Sequence, residues 1–135
     1  MRPVIVVTGR HRPHEQLLLA YGTFSGAIYL LGAPPPSSLV AVIPHWLVLL
    51  WSAGLVVSGV VGLIGCWWRG ARGLQLEQGG MLVGAGSLLI YVVSAFTFAG
   101  PRALFAAGVV LMWAAANVWR AVQCHRDLRQ IRAVA

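Results

Sequence analysis

The chain contains no lysine, only three acidic residues (Glu15, Glu77 and Asp127) and only two cysteines, Cys66 and Cys124. Each shortage removes a class of function. Without lysine there is no phosphate-binding loop of the kind that ends in Gly-Lys-Ser/Thr. Two cysteines without histidine at ligand spacing make no zinc site, and His125 beside Cys124 lacks further ligands and reads as interfacial polarity. There is no Ser/His/Asp set with plausible reach and no acid pair at mid-span. The sequence therefore predicts a non-enzymatic protein that needs no cofactor and no metal. Charged residues make up 10% of the chain, against about 25% in soluble domains. That shortage argues against a soluble globular fold.

What is present is apolar. Hydrophobic residues are 59% of 135. They fall in four runs, roughly 17–33, 39–66, 80–99 and 103–119. A membrane-crossing helix needs about 20 mostly apolar residues. Backbone groups in lipid must be satisfied within the segment, and the runs lack the polar/apolar alternation of barrel strands, so helices are expected. The start carries Arg2, Arg10 and Arg12, as a cleaved leader would, but Gly32-Ala33-Pro34-Pro35-Pro36 is a poor cleavage site. The first run is expected to be retained as a span.

The chain also repeats itself. Residues 10–60, shifted by 62 without a gap, fall on 72–122 with fifteen of 51 pairs identical. The rarer residue types carry the signal: Arg10/Arg72, Glu15/Glu77, Gln16/Gln78, Tyr29/Tyr91 and Trp51/Trp113. Nine of the ten arginines lie on one side of a four-span arrangement and only Arg102 on the other. Arginine bias marks the cytoplasmic face, so both termini and the loop around Arg69 and Arg72 are expected there. The expected fold is all-α: one membrane domain over 1–135, an integral membrane four-helix bundle of two tandem parallel helical hairpins. A pseudo-twofold along the membrane normal relates the hairpins, and the N and C termini are cytoplasmic.

Proline and tryptophan mark the edges. Pro34-Pro35-Pro36 is a stiff outer link with Ser37 and Ser38 as N-caps. Gly100-Pro101 is a tighter one. Pro44 marks the start of the second membrane helix or a kink. Trp46 is expected at the outer interface, and Trp67 and Trp68 at the inner one.

Lipid is as apolar as leucine, so small residues that permit close approach matter more than apolar ones. Gly22, Ser25, Gly26 and Tyr29 share a face of the first span; Gly80, Gly84, Ser87 and Tyr91 share one of the third. These faces predict that spans one and three pack on each other. Gly54, Ser58 and Gly62 form a third small face on the second span.

Three polar residues lie in or at the membrane. Asn117 is expected to hydrogen-bond another helix, with a pore-lining role as the sharper reading. Glu15 and Glu77 are expected to open spans one and three, favoured by the helix dipole and paired with Arg10, Arg12, Arg69 or Arg72. The alternative is an ion or proton site. From Arg120 the last helix continues as a basic amphipathic tail, residues 120–135. There Ala121, Cys124, Leu128 and Ile131 lie opposite Arg120, Arg126, Arg129 and Arg132. Such a segment lies on anionic lipid or a partner helix. Nucleic-acid binding is not expected, because the arginines are scattered and explained by topology.

Pro44-His45-Trp46 with Trp51 five residues on, the Gly-rich run to Gly65, and Gly73-Leu74-Gln75-Leu76-Glu77-Gln78-Gly79 carry a resemblance over most of 13–130. The chain resembles small four-span membrane proteins encoded by bacteriophages of actinobacteria, holins among them. The resemblance implies multi-pass insertion in the cytoplasmic (inner) membrane of a bacterial host, where a homo-oligomer would permit host lysis. Two other readings stay open: a structural or assembly subunit of a larger membrane complex, and a small transporter or ion channel using Glu15, Glu77 and Asn117.

Overall fold

Prolines and glycines decide where the helices begin and end. The structure is a computed structural model and describes residues 13–134. The roles assigned to Arg2, Arg10 and Arg12 lie outside the described residues. Helix α1 (Pro13–Leu30) opens on a proline, whose missing N–H is not needed in a first turn. It closes on Gly32, at φ 104°, with the Ala33 N–H donating back to the Ile28 carbonyl at 3.1 Å.

The second apolar run is two helices. A short α2 (Ser37–Val42) is followed by α3 (His45–Trp67). Pro44 separates them, since it cannot donate into a continuing helix, and its carbonyl accepts from the Leu47 and Val48 N–H groups. Ser37 and Ser38 do not cap α2. Pro36 holds the N-cap position, its carbonyl accepting from Leu39 and Val40, and Ser37 is the first helical residue. Leu39 is fully buried and pins this short helix to the core.

Helix α4 (Ala71–Ala99) begins nine residues before the third apolar run. Gly70, at φ 91°, makes the turn from α3. A 3-10 turn (Gly100–Ala103) containing Pro101 leads into α5 (Leu104–Val134), which runs unbroken past Trp119. At 1.5 Å per residue, α4 and α5 are about 44 and 46 Å long, well beyond a bilayer core of about 30 Å. Every element among the described residues is helical. Helix α3 and the stretch 71–133 are long and apolar enough to cross a membrane, by length and composition.

Helix α4 touches most of the other elements, and α3 joins α1 to it. The α1 backbone approaches only α3, and α4 lies between α3 and α5. The close backbone packing expected between spans one and three is therefore not made, although Leu19 and Met81 share a core cluster. Gly26 and Gly80 of the two small faces meet α3 instead. A Cβ on Gly26 would lie 2.6 Å from the Ser52 carbonyl oxygen, and one on Gly80 would lie 2.6 Å from the Gly62 nitrogen. Periodicity shows which side of a helix is small, not which neighbour fills it. Here α3 is small on two sides: Gly59 and Gly62 receive Thr23 and Leu19 of α1, while Gly54 and Ser58 receive Ser87 and Gly84 of α4. Small residues at each crossing let the backbones close.

Side chains fill the bundle in layers. Val92, Ala95, Ala103 and Ala107 form one end; Val48, Trp51, Leu55, Leu88 and Ala114 follow; then Leu19, Met81 and Ala121; and last Leu74, Cys124 and Leu128. The apolar side of the 120–135 tail thus lies on α4 of the same chain. Outside, large apolar groups are bare: Phe105 is 86% exposed, Leu17 70% and Met112 68%.

Cys124, in the extension beyond the apolar run, is fully enclosed by α4 and α5. A thiol sealed in apolar packing is out of reach of a reagent in water. Maleimide should label half-buried Cys66 in the native protein and reach Cys124 only after denaturation, read by peptide mass. Equal labelling of both in the native state would contradict this packing.

Candidate functional site

Glu77 sits seven residues into α4, far from the helix start that was expected to hold it. Gly65 explains how it is buried. With no side chain there, the α4 backbone at Glu77 presses directly on α3. Glu77 is 1% exposed. Its partner is neither Arg69 nor Arg72 but Arg120, whose Nε donates to Glu77 Oε1 at 2.6 Å. Arg120 is 5% exposed, so it is not a surface cation as its place in the basic tail suggested. The same Nε lies 3.7 Å from Glu15 Oε2, and Nη1 donates to Gln123 Oε1 at 3.4 Å. The two acids that the repeat aligns, Glu15 and Glu77, thus converge on one guanidinium.

Arginine suits this position because its fork stays charged and can face two acceptors at once. The pair is costly to break. Removing one member of a buried ion pair costs about 3–5 kcal/mol, because the other is left charged and dry. The second oxygen of Glu77, Oε2, is buried without a hydrogen-bond partner. The cluster ties α1, α4 and α5 together.

Arg120 was legible, though hydropathy hides it. It lies three residues after Asn117 and four before Cys124, on the buried face of α5. Asn117 is buried one turn from Arg120, and its Nδ2 would lie 3.0 Å from a Cβ on Gly84. Ser58 of α3 fills the other side of Gly84. A narrow crevice lined by Ser58, Gly84 and Asn117 runs from here towards Gly22 and Trp113.

Beyond the crevice lies a cavity of about 210 Å³. Tyr29 and Tyr91 line it, as do Trp51 and Trp113, so two aligned pairs of the repeat face one space. Gly22 and Ser25 complete its α1 wall. Ser87 lies elsewhere, buried against Gly54 of α3. Trp46 stands exposed at the start of α3, with Trp67 and Trp68 exposed at its other end. Those 21 steps span about 32 Å. Arg126, Arg129 and Arg132 are exposed on the α5 extension.

No cluster of His, Cys, Asp and Glu among the described residues is arranged to hold a metal. Set against known protein families, curated proteins and solved structures, the chain matches none of them.

Proposed function

We propose that the chain is a multi-pass protein of the cytoplasmic membrane, built as two tandem parallel hairpins with both termini inside, and that it works as a folded subunit of a larger membrane assembly. The observation that carries this is where the small residues go. Gly26, Gly80 and Gly84 are closed inside the chain against Ser52, Gly62 and Ser58, with the Glu15–Arg120–Glu77 cluster joining the start of α1 to α4 and to the middle of α5. A bundle that satisfies its own packing faces is suited to stay a defined unit. Its bare apolar exterior would be unstable in water and suits lipid or a membrane partner. The tryptophans at the two ends of α3 support the depth of insertion, and the arginines support its direction.

A second reading has an observation of its own. Gly79, Gly86 and Gly108 have no neighbouring atom where a side chain would stand. Copies could approach through these faces, as holin-like assembly and host lysis require.

One expression experiment separates the two. With the chain produced in a bacterial host, we expect it to accumulate with the membrane potential intact and to leave the membrane in a complex of fixed stoichiometry. Reporter fusions at Gly73 and after Ala135 should read cytoplasmic, and one at Ser37 external. Abrupt collapse of the potential, with lysis that needs a co-expressed endolysin, would establish the holin reading instead. An external signal at Gly73 would overturn the topology.

A further inference from the structure

The cavity enclosed by α1, α3, α4 and α5 is lined by rings. Two of those rings carry buried indole N–H groups that nothing among the described residues accepts from, and a ligand would reach them once the rings turn towards it. Trp51 is 5% exposed, and its indole N–H is buried without an acceptor. The indole N–H of Trp113, on the same cavity, is equally without one. A buried donor left unpaired costs about 1–3 kcal/mol, so two at one place call for an explanation. Tyr29 lies against Trp51 with ring centroids 5.4 Å apart, and Tyr21 against Trp113 at 6.3 Å. No charged side chain lines the space, and the helices around it carry apolar outer surfaces.

We propose that this cavity binds a neutral, flat, lipid-soluble ring bearing carbonyl acceptors, the chemistry of a quinone head group. The aromatic walls fit a flat ring by stacking. Carbonyl oxygens on opposite edges of the ring would give each unpaired indole N–H a partner as the side chains settle around it. The absence of acids and bases from the lining disfavours a charged ligand, whose desolvation nothing there would offset. The volume matches one ring system, with any tail left outside it. The repeat adds a geometric reason: aligned tyrosines and tryptophans from both halves supply the walls, and sites where repeats meet recur in membrane proteins. The inference names a ligand site and does not depend on the subunit reading, since binding is measured on the isolated chain.

The test uses the full chain in lipid nanodiscs and menadione as probe, with empty discs subtracted to remove partitioning. We expect saturable binding of one menadione per chain and a rise in melting temperature with added probe. Trp51→Phe and Trp113→Phe keep a ring but lose the donor, and each should weaken binding about five- to tenfold. Both trim packed rings and should lower the melting temperature of the empty protein, so affinity is compared on folded protein below the melting temperature of each variant. Ser25→Leu, which fills the α1 wall, should abolish binding. Uptake equal to that of empty discs would overturn the proposal. So would affinity unchanged in both tryptophan variants, or saturable binding of tetraphenylphosphonium in place of menadione.

Discussion

Replacing Arg120 with leucine is expected to be the most damaging single change in the chain. It removes the hydrogen-bond partner of a Glu77 carboxylate that is 1% exposed and takes the same cation from beside Glu15. The cost expected for an abandoned buried charge, about 3–5 kcal/mol, is a large part of a typical folding stability of about 5–15 kcal/mol. The variant should melt far below wild type in detergent and accumulate poorly. Glu77→Leu alone should do comparable harm by stranding the guanidinium. The double variant Glu77→Leu/Arg120→Leu should recover most of the loss, because an apolar pair of similar volume removes both desolvation costs. If Arg120→Leu alone melts like wild type, the ion pair does not hold the bundle.

Gly80→Leu should separate α3 from α4, whereas Gly79→Leu, one residue away, should be nearly silent. A Cβ at position 80 would lie 2.6 Å from the Gly62 nitrogen and 2.9 Å from the Ser58 carbonyl oxygen, both backbone atoms that cannot swing aside. The helices would have to part along a crossing that also holds Gly84 and Gly65. We expect a loss of about 3 kcal/mol or more, read as a lower melting temperature and faster proteolysis. Position 79 has nothing within reach of a new side chain, so a change within about 0.5 kcal/mol is expected. Equal effects at the two positions would mean that α3 and α4 do not cross as described. The same pair sharpens the choice of function: if Gly79→Leu folds normally but suppresses a wild-type collapse of the potential, the outward glycines serve assembly of copies.

Much of this architecture was readable from residue chemistry. Pro44 marked either the start of the second membrane helix or a kink, and it proves to be the residue just before α3 starts at His45. The small faces of the first and third spans were also visible, because helical periodicity is a local property. Their partners were not. That Gly26 and Gly80 both meet α3 depends on how three helices share space, and nothing in either segment encodes it alone. The ion cluster was missed for a different reason. Hydropathy weighs each residue as though it entered lipid by itself, so it ended the third run's start at Gly80 and the fourth run at Trp119. Both limits cut off the charged residues that cancel each other. Once Glu77 and Arg120 are weighed as a pair, α4 and α5 extend through them without penalty.

The order of the three charges along the chain orders events during synthesis. Glu15 and Glu77 leave the ribosome first, and the cation that both face is translated more than forty residues after Glu77. Until α5 is made, the Glu77 carboxylate on α4 has no Arg120 to pair with. Closure of the cluster is thereby the last electrostatic step of assembling these helices. A chain cut before Arg120 would keep all of its apolar runs yet lack that closure, a difference that hydrophobicity alone does not register.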